Sequence, residues 1–408
     1  MEEFDNQYGI VFPKGFKCGS IHSGVKRRKK DLMLIYSELP AVASGVFTQN
    51  KVKAAPVVLT QKKIAGGSIR GMVVNSGNAN ACTGKKGYGD AETMCQVTAE
   101  SLGLKDEEVL VASTGVIGVH LPMEIIVEGI KNCSGLLGDS KDHGEDAAEA
   151  ILTTDTFPKS FVRGFEFEGK SCYLGGVCKG SGMIHPNMAT TLGFVTTDIA
   201  IEKGLLDEML KEAIDKTFNC ITVDGDTSTN DMVIVMANGA SGIRKVESKD
   251  DELYDIFNDR LVNILNEMAK SIARDGEGAT KFIEVRIDGA KNEEDAMKAG
   301  KSVATSSLVK TAAFGEDANW GRILSAVGNA GIDFKPEETN IYIGSKQGEF
   351  LVCEMGQGLS FDEDKARKIL KEKDIYYLVE MGEGKGDAIV YTCDLSYDYV
   401  KINGSYRS

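Results

Sequence analysis

The sequence predicts a layered α/β or α+β fold, and three patterns carry that prediction. Short apolar runs that close on Gly or Asn recur through the first half. Amphipathic helical repeats lengthen in the second half. Forty-six glycines against seven prolines supply many tight turns without long disordered linkers, and no internal repeat interrupts them.

In chain order, the basic run Lys26-Arg27-Arg28-Lys29-Lys30 reads as a solvated turn before the strand Asp31-Leu32-Met33-Leu34-Ile35-Tyr36. Gly71-Met72-Val73-Val74-Asn75 and Glu108-Val109-Leu110-Val111-Ala112 read as buried strands, each delivering a loop. Asp90 reads as the cap of a helix through Met94, Val97 and Leu102, and Pro122 suits the first turn of the next. Leu205, Met209 and Ala213, then Leu253, Phe257, Leu261 and Ile264, keep helical spacing. One helical stretch runs through Met297, Val303 and Val309. A strand pair follows, Ile341-Tyr342-Ile343 and Phe350-Leu351-Val352, turned at Gly344-Ser345-Lys346-Gln347-Gly348. The last strand, Asp387-Ala388-Ile389-Val390-Tyr391-Thr392, leads into the tail.

Composition narrows the function. A net charge of −14 opposes a nucleic-acid surface, which needs clustered positive charge. No apolar run reaches the ~18 residues of a membrane helix. The acidic start, Met1-Glu2-Glu3-Phe4-Asp5, lacks the pattern of a secretory signal, so a cytoplasmic location is expected. Nine scattered cysteines read as reduced thiols. The four histidines lack a metal-ligand spacing, so no catalytic zinc is expected.

The segment Lys179-Gly180-Ser181-Gly182-Met183-Ile184-His185-Pro186-Asn187-Met188-Ala189-Thr190-Thr191-Leu192-Gly193-Phe194 is too glycine-rich at its start for a helix interior. It has no phosphate-loop spacing. A threonine hydroxyl beside this buried-looking run is either a satisfied core hydroxyl or an activated nucleophile. Ala112-Ser113-Thr114-Gly115-Val116-Ile117-Gly118 is either a plain turn or a set of oxyanion donors.

The first of these segments resembles the self-cleavage motif of the ornithine acetyltransferase family, the glutamate N-acetyltransferases of cyclic arginine biosynthesis. The family pattern is K-G-[SA]-G-M-I-x-P-N-M-A-T-M-L, with Thr191 here where Met is common. Further matches are Phe47-Thr48-Gln49-Asn50, Asn75-Ser76-Gly77-Asn78-Ala79-Asn80-Ala81-Cys82-Thr83-Gly84, Asp226-Thr227-Ser228-Thr229-Asn230-Asp231, Phe314-Gly315-Glu316-Asp317-Ala318-Asn319-Trp320-Gly321-Arg322 and the tail Val400-Lys401-Ile402-Asn403.

The resemblance implies an N-terminal-nucleophile-like αββα sandwich with a smaller C-terminal α/β portion. It implies cleavage between Ala189 and Thr190, giving an alpha chain of residues 1–189 and a beta chain of 190–408. Residues 190–280 would complete the first core, and about 281–390 would form a second domain. Thr190 would be the nucleophile, and Thr114 and Gly115 the oxyanion hole. Thr153, Lys179, Thr190, Glu277, Asn403 and Ser408 would bind substrate, with Thr154 a second candidate beside Thr153. The plainer roles are a surface ion pair for Lys179, a helix-end cap for Glu277 and a solvent-facing turn for His185. The implied reaction moves acetyl from N-acetylornithine to glutamate without metal, nucleotide or organic cofactor. Acetyl-CoA is a further donor in some members, and the fragments associate as two copies of each. The competing readings are an N-terminal-nucleophile peptidase and a non-catalytic binding protein that is never processed.

Overall fold

The computed structural model describes residues 4–185, 191–382 and 384–405. The chain divides into two compact units. The first holds residues up to Gly180, then Pro186–Asn219 and Thr227–Ala269; the second holds Ser181–His185, Cys220–Asp226 and Lys270–Ser408.

In the first unit the elements are β1 (Phe16–Ile21), β2 (Leu32–Phe47), α1 (Ala55–Ile64), β3 (Ile69–Asn78), α2 (Gly84–Leu102), β4 (Val109–Val116), α3 (Met123–Ser134), α4 (Lys141–Ala150), β5 (Lys159–Phe167), β6 (Lys170–Lys179), β7 (Leu192–Thr197), α5 (Lys203–Asp215), β8 (Met232–Ala237) and α6 (Glu252–Arg274), the last running past the unit's limit at Ala269. The strand order is β4-β3-β2-β8-β7-β6-β5, with β1 also on β2. The 16-residue β2 joins two half-sheets. Its first half pairs with β1 and β3 and its second half, Val42–Phe47, with β8.

Alternation along the strands explains the layering. Leu32, Leu34, Val73, Val109 and Val111 point into a core with Ala91, Met94, Ile126 and Ile130 of α2 and α3. Their neighbours Met33, Ile35, Met72, Val74, Leu110 and Ala112 enter a second core with Val177, Phe194 and Ile234 from β6–β8. Strands buried on both faces read as near-continuous apolar runs, which is the pattern the sequence showed. On β6 and β7, Gly176 and Gly193 leave room for α6: a Cβ on Gly176 would come within 2.9 Å of the Met268 sulfur.

The second unit carries a six-stranded sheet, ordered β12-β11-β10-β13-β9-β14. Its elements are β9 (Phe282–Ala290), α7 (Glu293–Thr305), α8 (Ser307–Phe314), α9 (Trp320–Gly328), β10 (Asn340–Ser345), β11 (Gly348–Glu354), β12 (Gln357–Gly358), α10 (Glu363–Leu370), β13 (Asp374–Glu380), β14 (Gly386–Cys393) and α11 (Tyr397–Gly404). Ile283, Val285, Val303, Val327, Ile343 and Val390 share its core.

Three local expectations are corrected. Asp90 lies inside α2, bound to Lys86 one turn back, and the helix begins at Gly84. Within the first turns of this helix Gly87 packs on Thr83, where a Cβ would lie 1.8 Å from Oγ1. The stretch from Met297 to Val309 is two helices, because Ser306 turns extended and caps α8 by accepting from the Val309 amide. The tail after Asp394 forms a further helix, α11, capped by Ser396 accepting from the Asp398 amide.

Candidate active site

Parallel pairing of β3 and β4 sets Thr114 level with Ser76 and Gly115 level with Gly77. Gly115 has φ +133°, and a Cβ there would lie 2.3 Å from the Gly77 carbonyl carbon. Only glycine fits that crossing. Thr114 is buried beside it. Asn230 fixes this strand end: its Nδ2 donates to the carbonyls of Ser113 at 2.8 Å and Ala79 at 2.6 Å, and its Oδ1 accepts from Thr229 Oγ1 at 2.6 Å. Ser113 Oγ donates to Asn75 Oδ1 at 2.5 Å, extending the buried network.

Asp155 organises a second cluster. Oδ2 accepts from the Thr153 amide at 3.1 Å, and Oδ1 accepts from Lys159 Nζ and the Gly180 amide, both at 2.9 Å. Burial alone would raise this carboxyl, but the Lys179 and Lys159 ammoniums outweigh it and hold the group at about 2. The Thr153 turn and the end of β6 are therefore brought together. Lys179 is buried, which removes the surface-ion-pair reading.

Lys179 is level with Leu192 on β7, which in turn is level with Met232 on β8. The Met232 amide donates to the Thr191 carbonyl at 2.9 Å, so the strand that follows residue 190 starts inside this cluster. Among the described residues, Thr191 Oγ1 and Asp231 Oδ2 are both buried without a hydrogen-bond partner. Burial raises Asp231 well above the usual carboxylate range, against the opposing pull of Ser228 and Lys179.

In the second unit, Glu277 is buried and its Oε2 accepts from Asn403 Nδ2 at 2.7 Å. Its amide donates to the Ser181 carbonyl at 3.0 Å. Gly182 lies against this carboxylate, since a Cβ there would be 2.3 Å from Oε2. Glu277 therefore does more than cap a helix end, and the tail residue Asn403 reaches it from α11. His185 is half-buried rather than solvent-facing: its Nδ1 lies 3.1 Å from Thr222 Oγ1, and burial lowers its pKa.

Thr114, Gly115, Thr153 and Lys179 thus belong to the first unit, and Glu277 and Asn403 to the second. Ala189, Thr190 and Ser408 lie outside the described residues. The sequence left Asn230, Asp155 and Asp231 without roles, although Asn230 and Asp231 stand in a quoted motif and Asp155 lies two residues from Thr153. A buried polar residue beside a candidate nucleophile was the signal available. Among the described residues no group of three or more His, Cys, Asp or Glu is placed to hold a metal ion, and no helix is long and apolar enough to cross a membrane.

A family model described as the ArgJ family matches residues 17–408. The arginine biosynthesis bifunctional protein ArgJ of Caldanaerobacter subterraneus subsp. tengcongensis is 52% identical over 408 residues, covering 100% of both chains. The protein of the same name from Bacillus subtilis is 46% identical, covering 98% of this chain and 96% of its own. Among solved structures, arginine biosynthesis bifunctional protein argJ from Bacillus halodurans is 48% identical with a TM-score of 0.43, covering 44% of this chain and 94% of that chain. Ornithine acetyltransferase complexed with ornithine from Mycobacterium tuberculosis is 35% identical with a TM-score of 0.41, covering 45% of this chain and 98% of that one.

Proposed function

The chain belongs to the ArgJ family, and from that premise we propose that it moves an acetyl group from N-acetylornithine to glutamate through an acetyl-Thr190 intermediate. It is an acyltransferase of arginine biosynthesis. In this reading the chain first breaks between Ala189 and Thr190 into fragments 1–189 and 190–408. Two copies of each fragment assemble, and the enzyme works in the cytoplasm.

Cleavage supplies its own base. A threonine hydroxyl is a weak nucleophile, and a free α-amino group titrates at ~7.7–8.0, so near neutral pH part of it can accept the hydroxyl proton. The Thr190 oxygen then attacks the acetyl carbonyl. The oxyanion is stabilised by donors at Thr114 and Gly115, and the ornithine amine leaves with the proton. The glutamate amine attacks the resulting ester and regenerates the hydroxyl. Thr153 and Lys179 hold the amino-acid part, Lys179 through a carboxylate. Glu277 suits the cationic end of ornithine, with Asn403 orienting it and Ser408 completing the contacts. The observation that carries the reading is Asp155, which bonds both the Thr153 turn and the residue after Lys179 beside the start of β7.

Acetyl-CoA is the second donor in this proposal; the relatives are named only as bifunctional. Glutamate acetylation is measured with N-acetylornithine and with acetyl-CoA side by side. Turnover with N-acetylornithine is expected. Hydrolysis to acetate with no transfer to glutamate would favour a hydrolase and defeat the reading.

A further inference from the structure

The basic run near the amino terminus is not uniformly solvated. Arg27, Arg28 and Lys29 are exposed, but Lys26 is half-buried. Asp31 builds the turn that presents it. Its Oδ1 accepts from the Ser23 amide at 2.6 Å and hydroxyl at 2.7 Å, and its Oδ2 from the amides of Gly24 at 3.1 Å and Lys26 at 2.9 Å. With four donors on its oxygens, Asp31 is committed to the backbone of the turn.

The Lys26 side chain then crosses to the candidate site. A Cβ on Gly77 would lie 2.8 Å from Lys26 Cγ, so the stem runs over the glycine that crosses Gly115. Nζ donates to the Leu152 carbonyl at 3.0 Å, one residue before Thr153. That neutral acceptor is its hydrogen-bond partner among the described residues, and no carboxylate there stands within ion-pair distance. An ammonium has three donors, and a half-buried one with no carboxylate in ion-pair contact among the described residues gains from a ligand that completes it.

We propose that Lys26 is a substrate-binding residue whose ammonium receives a carboxylate of the amino-acid substrates. The placement is chemically apt. N-acetylornithine carries one carboxylate and glutamate carries two, so a site that alternates between them gains from a cation besides Lys179. The inference rests on the acetyl-transfer reading, because Thr153 and Gly115 mark the site through that reading.

The charge of Lys26 is itself sensitive to pH. Burial lowers the ammonium to about 8, against Asp31 before β2, Glu149 on α4 and Asp155 beyond it, with Lys29 in its own turn pushing the same way as burial. As pH rises past that value the free enzyme loses the cation and with it the carboxylate contact.

Lys26→Met is the direct test, with the cleaved fragments and the melting temperature checked against wild type. KM for glutamate or N-acetylornithine should rise about tenfold or more, the scale of a lost charge-assisted hydrogen bond, while kcat stays within about twofold. Unchanged KM values for both, or a fall in kcat alone, overturn the proposal. Should that variant not fold, the pH dependence of kcat/KM decides. Wild type should decline above about pH 8, and Lys26→Arg, which keeps its charge, should not. Identical alkaline limbs overturn it. A wild-type chain that transfers no acetyl at all defeats the acetyl-transfer reading instead, which keeps the two failures distinct.

Discussion

Asp155 shows how much one carboxylate can hold in place. It is buried, and Lys159 beside it is inaccessible to solvent at a 2.9 Å contact. Asp155→Asn would leave the lysine charge uncompensated, at a cost of about 3–5 kcal/mol in stability at neutral pH, read from denaturant unfolding. The sign with pH follows from a carboxyl held at about 2 by Lys179 and Lys159 despite burial. Its stabilisation is complete above the ordinary carboxylate value of ~3.9 and fades as pH falls toward the folded value. Wild type should therefore lose stability on acidification through that window, and Asp155→Asn should lose correspondingly less. Thr114→Ala should lower kcat by roughly 10²–10³ with little change in KM, since an oxyanion donor acts mainly in the transition state. An unchanged kcat in a folded, cleaved variant removes Thr114 from the mechanism. His185 offers the competing base. Burial lowers its pKa and its ring is engaged with Thr222, so His185→Ala should still cleave and keep the pH profile of transfer. Loss of the basic limb would hand the role to the histidine.

At the scale of elements, the periodic segments were legible because packing and pattern agree. Leu253, Phe257, Leu261 and Ile264 are all fully buried along α6, as their spacing required. Phe257→Ala should cost about 3–5 kcal/mol, and a cost below about 1 kcal/mol in thermal or denaturant unfolding would contradict the packing. What the sequence hid was set by contacts rather than by period. Gly87 looks like a helix breaker and is instead a spacer against Thr83. Lys26 belongs to a basic run, and its neighbours' exposure masked its own burial. Asn230 and Asp231 stood in a recognisable stretch, but their roles need the register of β7 against β8, which no local pattern reports. Resemblance singled out Thr114 and Gly115 as candidates, and the reason for the glycine, its crossing with Gly77, required the pairing of β3 with β4.

In the proposed reaction, chain cleavage and acetyl transfer are two acts of one hydroxyl, that of Thr190. Thr190→Ala should remain a single chain and be inactive, while Thr190→Ser keeps a hydroxyl and should still cleave. The most direct measurement is the intact mass of the active enzyme, taken after exposure to N-acetylornithine without glutamate. The expected result is no uncut 43.9 kDa chain, but fragments 1–189 and 190–408, the second beginning Thr-Thr-Leu-Gly-Phe and carrying one acetyl group that glutamate then removes. Full activity in an uncut chain, a fragment that begins at Thr191, or acetyl on the 1–189 fragment would contradict it.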